Sequence, residues 1–435
     1  MSAQIPPGRV ETLSSDQELR LKQVWSHFLK HWGVPVDSAK VLAQENNQKP
    51  LSTTNTATSE NKPKKGGSKL FGRFRKSAPA PKSEPLHKRT SSVTSQRSAE
   101  SIESAYPHSL IHESLKNLKP EEVRENFWDM LRTDYPDNLL LRFLRARKWD
   151  TDKAMGMIAH TLHWRLKDAQ PDDVIRGGEQ AAYKNHEEGY VKNIELSKAT
   201  IRGYDKKGRP IVLVRPKLHH ASDQNEEEMK KYCLLIIEQA RMFIREPVDC
   251  ATILFDLTGF SLSNMDYSPV QYLITCFEAH YPECLGHLFI HKAPWVFPPI
   301  WNIIKNWLDP VVASKIIFTK NINDLSEHIP KEHIPEYLGG EDTYDFDSYQ
   351  RPDEACDAKL SDGETREKIL AERKEIIQRF IDVTVKWIEC SSATESKQLL
   401  EEKIAISKEL SKNYSQLDPY IRSRSVYDVN GTLKV

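Results

Sequence analysis

Nowhere in these 435 residues does an apolar run approach the ~18 residues that a membrane-spanning helix requires. The start, Met1-Ser-Ala-Gln-Ile-Pro-Pro7, lacks the charged-then-apolar pattern of a secretory leader, so the expected compartment is cytosolic. Six cysteines (Cys233, Cys250, Cys276, Cys284, Cys356, Cys390) form no C-x-x-C pair and no metal spacing. They read as buried free thiols in a reducing environment. Net charge is also lacking: 62 Lys and Arg balance 62 Asp and Glu, so the whole molecule has no bias toward nucleic acid. No G-x-G-x-x-G follows a strand pattern, and neither a phosphate-binding loop nor a G-x-S-x-G elbow occurs. Gly259-Phe-Ser-Leu-Ser263 fails the elbow at its last position. His219-His220 gives no i, i+4 partner for a metal and reads as the cap of a strand end. These absences exclude the common routes to catalysis and point to a binding protein. A hydrolase would need a Ser-His-acid set in hydrogen-bond reach.

What remains is ordered unevenly. Apolar content is 38% and charged content 29%, so part of the chain is expected to stay unfolded while the rest carries an ordinary core. Residues 14–31 predict a helix, with Ser15-Asp-Gln-Glu18 as its capping box and Leu21, Val24, Trp25 and Phe28 in one stripe. Residues 44–105 are rich in Ser, Pro and Lys and lack periodicity, which predicts disorder. Eleven Lys and Arg lie between Lys62 and Arg97 against one acid, with Phe71 and Phe74 among them. That stretch has two readings: an arm for anionic membranes, at ~1 kcal/mol per basic residue near the surface, or a solvated linker with candidate phosphorylation sites at Ser77, Ser91 and Ser92.

Helices are expected at 120–132, 138–147 and 151–167. Strands at 210–214, 251–255, 287–291 and 314–319 then alternate with helices at 226–245 and 269–281, and long helices follow at 362–389 and 394–410. Unbroken apolar strands alternating with helices predict an α/β fold with a mostly parallel sheet. The expected domains are an N-terminal helical segment (1–43), a basic linker (44–105), a small helical bundle (106–170), a lipid-binding domain (171–345) and C-terminal helices with a tail (346–435).

The most telling segment is Ala293 to Asp309. Ile300, Trp301, Ile303, Ile304, Trp307 and Leu308 fall at helical spacing, Pro298 and Pro299 open the helix and Pro310 stops it. So much apolar surface suits a lid over a pocket or a membrane. Polar candidates are few. Arg142 to Lys148 end a helix and read either as a solvated, dipole-favoured face or as an anion site. Glu283 reads as a loop acid, and Lys315 stands at the start of a short apolar strand. Cations and a carboxylate together suit a phosphate ester bearing hydroxyls.

These residues also carry a resemblance. Leu140-Leu-Arg-Phe-Leu-Arg-Ala-Arg-Lys-Trp-Asp150, Tyr204-Asp-Lys-Lys-Gly-Arg-Pro210, His280-Tyr-Pro-Glu-Cys-Leu-Gly286, Ala293-Pro-Trp-Val-Phe297, Leu308-Asp-Pro-Val-Val-Ala-Ser-Lys315 and Ile334-Pro-Glu-Tyr-Leu-Gly-Gly340 resemble, in order, the signatures of the CRAL-TRIO lipid-binding family. The likeness covers about residues 120–343. Within the family the chain is similar to the fungal phosphatidylinositol transfer group. Tyr420 to Tyr427 and Asn430-Gly431 resemble its non-classical branch, which takes phosphatidylinositol without phosphatidylcholine.

The resemblance implies a helical N-terminal bundle before a gated apolar pocket that holds one lipid, with 297–309 as the gate helix. It implies phosphatidylinositol as ligand, no other cofactor and no catalysis. The headgroup would rest on Arg147, Lys148 and Lys315, with Glu283 and Asp309 beside them. Pocket and gate would include Val212, Ala251, Phe277, Phe297, Ile300, Trp301, Ile304, Trp307 and Val312. Val312 stands where phosphatidylinositol binders carry a hydroxyl, a loss of one hydrogen bond or about 0.5–1.5 kcal/mol. Val212, Ala251 and Phe277 replace the hydroxyls that place a choline phosphate, so phosphatidylcholine is not an expected ligand. The alternative is a carrier or sensor of another hydrophobic molecule: squalene, a sterol or a tocopherol-like compound. Implied partners are phospholipid, membrane surfaces touched transiently, and lipid kinases or phospholipases that use its lipid state; nucleic acid is not among them. The implied location is cytoplasmic, with peripheral association to endosomal, microsomal or lipid-droplet membranes.

Overall fold

The computed structural model describes residues 5–45 and 112–434. Residues 46–105 of the expected linker, with Phe71, Phe74 and the candidate phosphorylation sites, lie outside the described residues.

Helix α1 (Ser15–His31) starts from Ser14, not from Ser15 as the capping box predicts. Ser14 keeps the extended backbone of a cap; its hydroxyl accepts the Gln17 amide at 3.3 Å, and the Gln17 side chain takes the Ser14 amide at 3.1 Å. Glu18 is thereby free to accept the Trp387 indole N–H at 3.1 Å, near the other end of the chain. A short α2 (Ala39–Leu42) follows. Then come α3 (Pro120–Met130), α4 (Pro136–Ala146) and α5 (Thr151–His163). The expected 151–167 helix widens at Trp164, where the Ala169 amide reaches back five residues to the Trp164 carbonyl. Helices α6 (Pro171–Lys184) and α7 (Glu188–Glu195) lead into the sheet.

Five strands follow: β1 (Ala199–Tyr204), β2 (Pro210–Val214), β3 (Ala251–Asp256), β4 (Leu285–His291) and β5 (Ile316–Thr319). They lie in chain order across the sheet; β1 pairs antiparallel with β2, and the other neighbours are parallel. The connections hold α8 (Glu226–Arg241), α9 (Tyr267–Thr275), α10 (Phe297–Ile304) and α11 (Pro310–Ala313). Strand β1 lacks the unbroken apolar pattern because its later residues face partners other than core: Arg202 pairs with Asp342 at 2.7 Å. As an edge strand it is covered by the tail, where the Tyr427 hydroxyl accepts the Ile201 amide at 2.9 Å.

Alternation along the strands divides the sheet into two apolar faces. Ile211, Leu213, Leu254 and Phe289 pack on Leu325 of α12 (Ile322–Ser326) and on Ile329, Ile334, Leu338 and Phe346. Val212, Val214, Ile253, Phe255, Leu288 and Ile290 face the other way. A register shift between Ala251–Leu285 and Ile253–Leu288 inserts one extra residue in β4 and returns Leu288 to the face of Leu285. Gly286 sits in that bulge, and a Cβ there would meet the Arg209 guanidinium at 2.3 Å.

Two long helices, α13 (Gly363–Glu389) and α14 (Ala393–Leu417), and the short α15 (Val426–Val429) complete the chain. Helices α13 and α14 pack with α1, α3, α4 and α5 around one core. Trp25 of α1 lies 5.5 Å from the rings of both Phe127 and Phe380. Inside this core the Lys403 ammonium meets Asp137 at 2.8 Å and stands 4.1 Å above the Trp387 ring. Among the cysteines, Cys356 is exposed, contrary to the expectation of burial, because it lies in a polar turn before α13.

The bundle meets the sheet's covering helices through a buried ionic network. Glu238 of α8 receives Arg241 at 2.9 Å, Arg165 at 3.0 Å and Arg132 at 3.2 Å, together with the Tyr281 hydroxyl at 2.8 Å. Asp172 takes Arg132 at 2.7 Å and Arg165 at 2.8 Å, while Asp134 takes Arg142 at 2.8 Å and Arg241 at 3.1 Å. Burial of that much charge is tolerated only where each group has partners.

Candidate functional site

The second face of the sheet is not packed solid. Between it and helices α8, α9 and α10 lies an empty volume of about 1360 Å³, its open mouth included. A second space of about 780 Å³ shares Ala199, Val214, Met229, Tyr232, Ile253, Phe255, Leu273, Phe277 and Leu285 with the first, so the two run together. Val212 and Ala251 line the second space and Phe277 lines both. The walls are almost wholly apolar, as the strand pattern dictates.

The lid over this cavity differs from the expected 297–309 helix. Helix α10 ends at Ile304. The amides of Asn306 and Trp307 turn back only three residues, to Ile303 at 3.2 Å and Ile304 at 3.0 Å, and the Asn306 side chain holds the Asn302 carbonyl at 2.9 Å. Asp309 then caps a new helix by accepting the Val311 amide at 2.7 Å. Pro310 starts α11 instead of stopping α10, because its missing N–H costs nothing at the first helical position. Phe297, Trp301 and Ile304 line the cavity, continued by Leu308 and Val312. Ile300 packs instead with Leu257, Phe260 and Ile290, and Trp307 leans edge-on against Tyr267 at 5.6 Å. Ile303 leaves the inward stripe and is 44% exposed. It belongs to an outer apolar set with Trp295 (89% exposed), Val311 and Phe318.

The charged candidates gather only in part. Lys315 and Glu283 meet at 3.9 Å where β5 and β4 begin. Glu283 has a left-handed backbone, φ 59°, which turns the chain into β4. Asp309 joins neither; its amide donates to Glu278 at 2.8 Å, and its carboxylate is spent on the cap of α11. Arg147 ends α4 half-buried, and Lys148, with φ 52°, is exposed. Among the described residues neither makes an ion pair. Their helix reaches the Glu283 turn through Arg142, whose guanidinium lies 3.5 Å from the Cys284 sulfur. Among the described residues Arg147 and Lys148 are thus cations without an acid, a type of group suited to a phosphate, and neither is among the residues that line the cavity.

His219 does not cap a strand. Its ring lies between the Lys198 ammonium at 3.5 Å and the Asp266 carboxylate at 3.3 Å. Lys198, Arg215, His219 and Asp266 all line the cavity at the sheet edge opposite Lys315. Sequence reasoning missed Lys198 and Arg215 because it missed β1, whose pairing with β2 sets them side by side. Among the described residues no group of His, Cys, Asp and Glu side chains forms a metal site, and no serine side chain bonds to a histidine side chain.

Family models match in two places: the CRAL/TRIO domain over residues 194–340 and the CRAL/TRIO N-terminal domain over residues 110–160. The chain is 55% identical to phosphatidylinositol transfer protein CSR1 of Eremothecium gossypii, with all of both chains covered. It is 38% identical to a CRAL-TRIO domain-containing protein of Schizosaccharomyces pombe, over 72% of this chain and 69% of that protein. The crystal structure of Sfh5 is similar with a TM-score of 0.39 at 19% identity, over 54% of this chain and 77% of that one.

Proposed function

The chain belongs to the CRAL-TRIO family, and on that premise we propose that it binds one phosphatidylinositol in the cavity and carries it between membranes, with α10 and α11 as the moving gate. It is a carrier and not an enzyme. The observation that carries the reading is a large apolar cavity covered by a two-piece helix that is apolar on both sides. The inner side, Phe297, Trp301 and Ile304, replaces water around acyl chains. The outer side, with Trp295 and Ile303, suits the membrane interface, where amphipathic aromatic rings are favoured. The break at 305–309 gives the gate a hinge, and Asp309 marks it.

The inositol phosphate would rest on Lys315, Arg147 and Lys148, with Glu283 accepting from ring hydroxyls. Phosphatidylcholine is disfavoured: Val212, Ala251 and Phe277 offer a choline phosphate no donor, and an unpaired buried phosphate costs several kcal/mol. Contact with endosomal, microsomal or lipid-droplet membranes, and with lipid kinases or phospholipases that read the lipid state, belongs to the same proposal.

Transfer of labelled phosphatidylinositol and phosphatidylcholine between vesicles tests it. The protein should move the first and not the second, and Lys315→Ala should lose phosphatidylinositol transfer while melting normally. Equal exchange of both lipids, or full transfer by the variant, would sink the headgroup assignment. The same apolar walls favour a second reading, a neutral ligand such as squalene, a sterol or a tocopherol-like molecule. Native mass spectrometry of the purified protein separates them: a phospholipid mass supports the first, a terpenoid mass the second.

A further inference from the structure

The cavity wall carries Lys198, Arg215, His219 and Asp266 at one end. Strand β1 is antiparallel to β2, so Lys198, which enters β1, lies where β2 runs out into Arg215; the Arg215 amide donates to the Lys198 carbonyl at 2.8 Å. Strands β3 to β5 run parallel to β2, so Glu283 and Lys315, which precede β4 and β5, belong to the opposite edge. The seven residues of β4, at about 3.3 Å each, separate these edges by roughly 20 Å. That is about the reach of one extended long acyl chain.

Lys198 is a buried cation without an anion. It is 4% exposed and lines the cavity. Its ammonium reaches only neutral acceptors, the Gln224 side-chain oxygen at 3.3 Å and the His219 ring at 3.5 Å. The neighbouring acids are engaged elsewhere. Asp223 pairs with Lys192 at 2.7 Å, and Asp266 accepts the Ser268 amide at 3.0 Å and faces the far nitrogen of His219. Among the described residues Lys198 has no ion pair. Arg215 commits its two terminal nitrogens to Asp347 and to backbone carbonyls, yet its Nε is buried and unpartnered. Burial lowers the Lys198 ammonium to about 8, which leaves it charged at neutral pH. Burial, and then Lys198, keep His219 below its usual range and so neutral.

A cation held dry beside an apolar cavity costs stability unless an anion arrives to meet it. The anion must come with the ligand. We propose that the cavity has a second binding mode, in which a long-chain carboxylic acid lies along the sheet with its carboxylate on Lys198 and its tail toward α10. A carboxylate fits better than a phosphate: it carries one charge and two oxygens, whereas a dianion would face Asp223 and Asp266 with too few donors. The inference rests on reading the cavity as a lipid site, and it adds a ligand class and a recognition point to that reading.

The test is a titration of the full chain with oleate and with oleyl alcohol, its uncharged counterpart, followed by tryptophan fluorescence. At pH 7 oleate should bind at least tenfold more tightly. The gap should shrink at pH 9.5, where Lys198 is neutral. Lys198→Met should abolish it and Lys198→Arg should keep it, with thermal melts checking that each variant folds. Equal binding of the two probes by a protein that still transfers phosphatidylinositol overturns this mode alone. Failure to bind either probe, together with failure to transfer, overturns the lipid reading beneath it.

Discussion

The Lys403–Asp137 pair is the sharpest case at the scale of single residues. Both side chains are essentially inaccessible to water, and the Trp25 indole N–H adds a bond to the same Asp137 oxygen at 2.7 Å. Lys403→Met keeps the volume but leaves a buried carboxylate with only Trp25. It should cost about 3–5 kcal/mol, read as a fall in the urea midpoint. Adding Asp137→Asn should recover most of that loss, since an amide oxygen still accepts from Trp25. None of this was legible in the sequence, where Lys403 is one lysine among many in an amphipathic helix. Periodicity reports which face of a helix is apolar, not that one charged side chain points inward. Lys315 drew notice for the opposite reason: a cation at the head of a short apolar strand has few ordinary uses.

At the scale of elements, patterns with a strong period translated well and their ends did not. Strands β2 and β3 were readable because unbroken apolar runs have one explanation in a sheet buried on both faces. Strand β1 was not, since half of it serves Arg202 and the tail. The proposed gate shows the limit most clearly: its apolar spacing continues through Trp307, while Asn306 and Asp309 cut the helix by local hydrogen bonds that compete with the ladder. Two predictions belong here. Phe28→Ala in α1 should cost about 3–5 kcal/mol, because its ring packs on Trp25, Trp32 and Phe127. Trp295→Ser with Ile303→Ser should weaken flotation with vesicles while leaving stability within about 0.5 kcal/mol, since both side chains face solvent. Unchanged flotation would remove the outer face of the proposed gate from membrane contact.

Across the whole molecule, the ionic network and two desolvated histidines set the response to acid. Burial, then His160 and Arg165, hold His280 at about 4, stacked 3.9 Å over Trp164; burial and Arg209 hold His287 at about 4. The unfolded chain protonates these rings near 6.5, so stability should decline as pH falls from about 6.5 toward 4. Glu238 behaves in the opposite sense. Burial opposes its ionisation, but Arg241, Arg165 and Arg132 outweigh burial and hold the carboxyl well below the usual range. Asp134, against burial, is likewise held down by Arg142 and Arg241. Their stabilisation is present above the ordinary carboxylate range and is lost as pH falls through the depressed values. Denaturant midpoints measured from pH 7.5 to 3 should therefore show a shallow decline and then a steep one. A flat profile down to pH 4 would remove the histidines from the account.

The bundle core also has a history in time. Its first helix, α1, is made long before its partners α13 and α14, which begin at Gly363. At about 5–20 residues per second, translation of the intervening chain takes on the order of half a minute. The five strands, all lying between, can be complete before that interval ends. Through it Trp25 has Phe127 of α3 to meet but not Phe380 of α13. A chain that stops short of Gly363 thus displays its own incompleteness in the bundle, where the share of the core that α13 and α14 cover is left open.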